Sequence, residues 1–307
     1  MRIAIYGECE KVGSGAWCYG DAIRKTGHQF SFFSPTLLLR PWVDGIIWRF
    51  WRHVGSAELP PWILLRHQRE FERFLRLEVP DLLIVLKGLW VRLESLHLAK
   101  KLGCKVVLIN HDDFYSRNRF NWSLVQRAAL RGYDRIYSTR RINIQELKAL
   151  HLPAEFFPFA YHPEIHHPPA SYLESRGPSG PALFVGTYER ERANMLEELA
   201  VRGVALKIYG EQWSKLKVGS PLRKAVTEGF LAGERLRRAI FEASCCLGFL
   251  RKENRDEYTQ RSIEIPACGG VLLAERTGEH LRMFKEGVEA EFFDATSSQE
   301  LGDKIQR

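Results

Sequence analysis

Residues 261–277 read RSIEIPACGGVLLAERT, and this stretch decides the fold. Ile263, Ile265 and Ala267 carry the apolar spacing of a short helix over 262–268. Gly269 and Gly270 end it, supplying the positive φ that a helix C-terminus needs. The all-apolar run 271–274 then reads as a strand buried on both faces, the mark of a parallel sheet. Glu264 is thereby a carboxylate at the end of a helix facing the mouth of an α/β sheet, beside Arg251, Arg255 and Arg261. A charge in such a place is paired or functional.

The same alternation extends outward over the chain. Strands at 2–6, 29–33, 82–86, 105–110 and 135–138 alternate with helices at 16–25, 63–77, 93–102, 122–130 and 142–150. A second series has strands at 182–185, 205–209, 246–250, 271–274 and 290–293, with helices at 190–201, 234–243 and 262–268. Between them, 162–181 (HPEIHHPPASYLESRGPSGP) contains five prolines and no periodicity, which reads as a linker. The expected fold is α/β, with two Rossmann-like parallel-sheet domains, 1–161 and 182–307, facing a central cleft. Ligands of open α/β sheets bind at the carboxyl ends of the strands.

The composition, 45% hydrophobic and 27% charged over 307 residues, is that of a globular protein. No run is long enough to span a membrane, and the N-terminus MRIAIY is a strand rather than a signal peptide, so the expected location is cytoplasmic. The six cysteines show no Cys-x-x-Cys and read as reduced, buried thiols. Charge is unevenly placed. Residues 1–160 hold 24 Lys+Arg against 15 Asp+Glu, whereas 161–307 hold 21 against 22. Much of the excess lies between Arg40 and Arg76, interleaved with Trp42, Trp48, Phe50, Trp51 and Trp62. Such a face suits an anionic partner, a glycan or the inner face of an anionic membrane, and a peripheral membrane contact is expected from it. Nucleic acid is the less favoured partner.

Several loops carry chemistry. Gly13, Ser14 and Gly15 stand between the first strand and the first helix, where free N–H groups suit a phosphate. Their spacing is neither a dinucleotide fingerprint nor a Walker sequence. Arg251 and Lys252 follow a buried strand and suit a diphosphate, while Asp256 lies eight residues before Glu264. Arg190 and Arg192 occupy the corresponding loop of the second domain's first strand. His111, Asp112 and Asp113 end a strand of the first domain, where polar groups are placed for catalysis or acceptor binding. His162, His166 and His167 fall among prolines that break any helical register, so they read as solvated linker and no metal site is expected.

The residues SIEIPACGGVLLAERTGEHLRMF, followed by EAEFFD, resemble nucleotide-sugar glycosyltransferases of the GT-B fold, in particular the CgeB-like (spore maturation protein) branch. FVGTYERER, LKIYGEQW and FLAGERLRRAIFEAS extend the resemblance over the second half; GSGAW, INHDDF and FPFAYHPEIHHP match more loosely. The resemblance implies a hexosyltransferase that moves a sugar from a nucleoside diphosphate sugar to an acceptor hydroxyl, with retention, without a metal and with no cofactor besides the donor. Glu264 would hold the ribose hydroxyls, Asp256 the donor sugar, and Arg251 and Lys252 the diphosphate, with Gly13, Ser14 and Gly15 approaching the phosphates and Gly269 and Gly270 completing the donor segment. Arg190 and Arg192 are further donor contacts, and His111 or Asp113 would assist the acceptor hydroxyl. Related families have glutamate where Asp256 stands, and a closing helix that would follow Arg307 is expected from the resemblance but not found. Two other readings stay open: a sugar-nucleotide epimerase, and a catalytically idle nucleotide- or polyanion-binding module.

Overall fold

The computed structural model describes residues 1–10, 12–36, 57–169 and 180–307. The basic, tryptophan-rich stretch that contains Trp42, Trp48, Arg49, Trp51 and Arg52 lies outside the described residues. The chain divides into two compact units: Met1–Pro158 with Lys252–Arg255, and Phe159–Arg251 with Asp256–Arg307.

The first unit runs β1 (Arg2–Tyr6), α1 (Gly15–Lys25), β2 (Gln29–Phe33), α2 (Pro61–Glu78), β3 (Leu82–Leu86), α3 (Leu93–Lys101), β4 (Lys105–Asn110), α4 (Leu124–Ala129), β5 (Arg135–Ser138), α5 (Arg141–Ala149) and β6 (Ala154–Phe156). Its six strands are parallel, in the order β2-β1-β3-β4-β5-β6. The chain reverses its direction of winding after β2, so the topological switch point falls between β1 and β3, where a crevice opens beyond the strand ends. α2 starts at Pro60 and Pro61 and buries Ile63, His67, Phe71 and Leu75, one residue per turn, against this sheet. Phe71 and Leu75 are wholly buried among Tyr6, Leu83 and Val85, so truncating Leu75 to alanine costs about 2–5 kcal/mol.

The second unit runs β7 (Ala182–Val185), α6 (Arg190–Val201), β8 (Leu206–Gly210), β9 (Val226–Glu228), α7 (Gly233–Glu242), β10 (Cys246–Gly248), α8 (Arg261–Ala267), β11 (Leu272–Glu275), α9 (Gly278–Met283), β12 (Glu291–Phe293) and α10 (Ser298–Gln306). Its parallel strands are ordered β12-β11-β10-β7-β8-β9, which puts the switch point between β7 and β10. Aromatic edges close its core: Phe184 meets Trp213 and Phe249, and Phe249 meets Phe293.

The alternation read from the sequence is present in both units. Two three-residue strands, β6 and β9, and the helices α9 and α10 went unread. No helix among the described residues is long and apolar enough to cross a membrane. Among the described residues no cysteine forms a disulfide; burial pushes the Cys9 thiol up to about 12 and those of Cys104, Cys245 and Cys268 up to about 11.

Candidate functional site

In the first unit the switch point is a cavity of about 440 Å³. The ends of β1, β3 and β4 line it with Tyr6, Lys87, Trp90, His111 and Asp112, and the entry to α1 adds Ser14, Gly15 and Tyr19. Ser14 is the N-cap of α1. Its Oγ accepts from the Trp17 amide at 3.1 Å and donates to the Glu8 carbonyl at 2.8 Å. Gly13 takes φ +80°, the left-handed value that makes the turn. Beyond β3, Lys87 (φ 62°) and Gly88 (φ 69°) are both left-handed, and a side chain at Gly88 would meet Val85 and the Tyr133 hydroxyl. The Lys87 amide donates to the Ile109 carbonyl at 2.9 Å, and Gln126 Nε2 holds the Lys87 carbonyl, so this pair is fixed from both sides. Lys87 Nζ lies 2.7 Å from Asp112 Oδ2.

His111 stacks against Tyr19, 6.2 Å between ring centroids, and its Nε2 is 3.4 Å from the Tyr19 hydroxyl. Burial, aided by Arg140 and opposed by Asp112, brings the His111 pKa down to about 4, so the ring is neutral at neutral pH. Burial also raises the Tyr19 phenol to about 12. The neighbouring Asp113 has a different place from the one expected. It is wholly buried and accepts from Arg255 Nε and Nη2 at 2.6 Å each, from Asn143 Nδ2 at 2.8 Å and from the Tyr115 amide at 2.8 Å. Burial pushes its carboxyl up, but Arg255, Asn143 and the Tyr115 amide outweigh that and hold it below the usual carboxylate range. Glu146 takes the rest of the Arg255 guanidinium, at 2.6 and 3.0 Å. Asp113 is therefore an internal clamp, buried out of reach of an acceptor hydroxyl. This corrects the catalytic role expected for it.

In the second unit the switch point brings together the loop after β7 and the end of β10. Arg192 is buried beneath it, its guanidinium donating to the Thr187 carbonyl at 3.3 Å and the Leu250 carbonyl at 3.5 Å, and pairing with Glu189 at 2.9 Å. Arg192 thus ties the two strand ends together and is not available to a phosphate, a second correction. Arg190 is exposed at the start of α6, and Arg251 is exposed and pairs with Glu189 at 3.3 Å. Lys252, exposed, opens the short turn Lys252–Asn254, which belongs to the first unit. Asp256 is half-buried and its amide donates to the Arg251 carbonyl at 3.3 Å.

Glu264 lies in the first turn of α8, which follows β10, so it stands on the carboxyl side of the sheet. Of the three arginines expected beside it, Arg261 is its partner, Nη1 to Oε2 at 2.5 Å; Arg251 and Arg255 pair elsewhere as described. Its Oε1 receives His166 Nε2 at 3.2 Å. The His162 amide donates to His166 Nδ1 at 3.1 Å, which fixes the imidazole with its proton on Nε2, facing the carboxylate. His162 and His166 are each only 7% exposed, so the solvated-linker reading of these two is corrected. Burial would raise the Glu264 pKa, but the His166 hydrogen bond and the Arg261 charge bring it below the ordinary value, and the carboxylate is ionised. The start of α8 is locked as well: His280 Nδ1 is 2.7 Å from the Glu275 carbonyl, so Nε2 accepts from the Ser262 hydroxyl at 2.8 Å. Gly269 (φ 79°) and Gly270 form the turn into β11, at the amino edge of the sheet, opposite the ligand edge. A side chain at Gly270 would run into Ile240. Their role is packing, which corrects their assignment to the donor site.

Residues 190–307 match a family model described as glycosyl transferase-like. The whole chain superposes on solved GT-B structures. HepE from Anabaena, in complex with UDP and glucose, is 13% identical with a TM-score of 0.58, covering 99% of this chain and 89% of that one. Sucrose-phosphate synthase from Thermosynechococcus elongatus is 13% identical (TM-score 0.61; 100% and 89% covered). UDP-GlcNAc 2-epimerase from Methanocaldococcus jannaschii is 12% identical (TM-score 0.57; 100% and 92% covered). At these identities the likeness shows the fold, α/β of the GT-B type, and a fold hosts more than one reaction. No curated protein sequence matches the chain significantly.

Sequence reading missed Tyr19, Lys87, Trp90 and His166. The Lys-Gly pair directly after the apolar run LLIVL was the available signal for Lys87. His166 meets a partner 98 positions away and has no local signature.

Proposed function

We propose that this protein is a GT-B glycosyltransferase of the CgeB-like kind, moving a hexosyl group from a nucleoside diphosphate sugar to an acceptor hydroxyl with retention of configuration. The observation that carries this reading is the glycosyl transferase-like match over 190–307, because that span holds Arg190, Arg251, Asp256 and Glu264, which follow β7 and β10, the two strands that flank the switch point of the second sheet. Ionised and buried, Glu264 suits a ribose diol, whose hydroxyls would donate to the carboxylate that His166 and Arg261 hold in place. The exposed cations Arg251 and Lys252 suit the departing diphosphate, whose charge grows as the glycosidic bond breaks; a donor of this kind is worth a few kcal/mol in the transition state. With those cations the reaction needs no metal and no cofactor.

The half-buried Asp256 is the candidate contact to the donor sugar. The first unit would hold the acceptor. There the neutral His111 accepts a hydrogen bond from the attacking hydroxyl and orients it; with a pKa near 4 it is too weak a base to carry the proton alone. The Gly13, Ser14 and Gly15 turn, where Ser14 caps the Trp17 amide, forms part of the wall of the cavity that this acceptor would enter. The test is nucleoside diphosphate release from a panel of UDP-, GDP-, ADP- and dTDP-sugars, starting with UDP donors because the HepE structure contains UDP. Slow hydrolysis of one donor that falls in Glu264→Gln is the expected result. Nucleotide binding with no release from any donor would overturn the reading in favour of a binding module.

A further inference from the structure

The cavity of the first unit has walls that specify a ligand. At about 440 Å³ it falls within the roughly 300–1,000 Å³ of small-molecule sites and has room for roughly one or two sugar rings. One part of its wall is apolar and aromatic, from Tyr19, Leu86, Leu89 and Trp90. Both aromatic rings are held rigidly. Trp90 Nε1 donates to the Ala57 carbonyl at 2.7 Å and its ring lies edge-on to the buried His67, 6.2 Å between centroids, while Tyr19 stacks on His111. The polar part, among the described residues, includes Glu8, Ser14, Thr36, Lys87, Asn110, His111 and Asp112.

The charge balance of that polar part separates two kinds of ligand. Among the described lining residues Lys87 is the single lysine or arginine, and Asp112 neutralises it at 2.7 Å. Glu8 adds a negative charge, and the amide of Trp17 at the helix start is already taken by Ser14 Oγ. Among the described lining residues, a phosphorylated ligand carrying between one and two negative charges would meet the carboxylates of Glu8 and Asp112 and no unpaired cation. An uncharged polyol would meet an ammonium that donates and a carboxylate that accepts, with aromatic rings for its C–H face. The backbone supports a binding role for this wall. Lys87 is held in a left-handed conformation that a lysine does not favour, and such strain persists where the surrounding structure fixes a functional side chain.

We infer that this cavity binds a neutral, non-phosphorylated pyranoside, the Lys87–Asp112 pair bonding its hydroxyls and Trp90 and Tyr19 packing on its ring. That this ligand is the acceptor rests on the glycosyltransferase reading; that it binds does not. The experiment is ligand-observed saturation-transfer NMR on the full chain, with methyl pyranosides and disaccharides as probes and the corresponding sugar 6-phosphates as competitors. Neutral glycosides should show transfer strongest at their ring C–H protons. Asp112→Asn should weaken them about tenfold or more, as expected on losing a hydrogen bond to a charged group. Trp90→Phe, which preserves an aromatic ring if Trp90→Ala fails to fold, should weaken them less. Tighter binding of the 6-phosphates, no transfer to any neutral glycoside at millimolar concentration, or unchanged transfer in Asp112→Asn would each overturn the inference. Nucleoside diphosphate release in the absence of acceptor, measured in parallel, separates the two ideas. A dead donor reaction with intact glycoside binding refutes the enzyme reading alone, and an intact donor reaction without glycoside binding refutes this one alone.

Discussion

Asp113→Asn distinguishes a structural carboxylate from a catalytic one. In the wild type the carboxylate accepts two bonds from Arg255 at 2.6 Å and one each from Asn143 and the Tyr115 amide, without any exposure to solvent. An asparagine of the same shape presents an NH₂ group to one of those donors and leaves the guanidinium short of its counter-charge. Breaking a buried pair costs about 3–5 kcal/mol, and because Glu146 keeps hold of Arg255 the lower end, about 3 kcal/mol, applies. For a unit of this size each kcal/mol moves the midpoint by about 2–4 °C, so the thermal transition should fall by about 6–12 °C.

The pH dependence provides a second reading of the same variant. Because the folded pKa of Asp113 is depressed, its stabilisation is fully present above the unfolded value of 3.8 and is lost as pH falls through the folded value. The gap in stability between wild type and variant should therefore be widest near pH 7 and should narrow below about pH 4. Circular dichroism melts over that range, with acceptor-dependent turnover at a temperature where both proteins are folded, make the assay. A variant that melts within a degree or two of the wild type while losing its turnover would refute the clamp and restore Asp113 as a catalytic group.

Glu264→Gln should weaken nucleotide-sugar binding by about 10–100-fold by calorimetry, the value of one charge-assisted hydrogen bond, and should also lower the thermal midpoint, because Arg261 and His166 lose their buried counter-charge. Gly270→Ala forces a methyl group onto Ile240 and should destabilise the second unit by about 1–3 kcal/mol in urea titrations without altering donor affinity; a loss of affinity in a stable variant would return the turn to the donor site. His67 and His111 both have folded pKa values near 4 against 6.5 unfolded, so the unfolded chain binds the extra protons between these values. Stability of the first unit should accordingly fall as pH drops from 6.5 towards 4, by about 3 kcal/mol for each histidine, and His67→Phe should flatten that slope in urea titrations at pH 7 and pH 5.

The fold was legible because its signals are local. Five-residue apolar runs such as LLIVL, each followed by a helical repeat, need no distant information to be read as a parallel sheet. The three-residue strands β6 and β9 are too short to carry a period, and their pairing with β5 and β8 makes them strands. The missed helix α10 did have a signal, Ser297 three residues before Glu300, whose amide Ser297 Oγ caps at 3.1 Å. The site was legible only where strand order put it. Loops after β1, β4, β7 and β10 were read as ligand-facing from the alternation alone, and the cavity does lie at the ends of β1, β3 and β4. Which of their charges are already taken depends on partners far along the chain. Asp113 and Arg255 are 142 positions apart, and His166 and Glu264 are 98. No periodicity reports such a pair, so a buried clamp and a solvent-facing base look alike in sequence.

The left-handed Lys87 next to Gly88 constrains how this protein can evolve. A lysine at that φ costs about 1–2 kcal/mol that a glycine would not, so selection for thermal stability alone would accept glycine at position 87. It would thereby discard the ammonium that pairs with Asp112 in the cavity. A homologue with lysine there would trade stability for whatever the cavity holds, and one with glycine would mark a lineage in which that trade has ceased to matter.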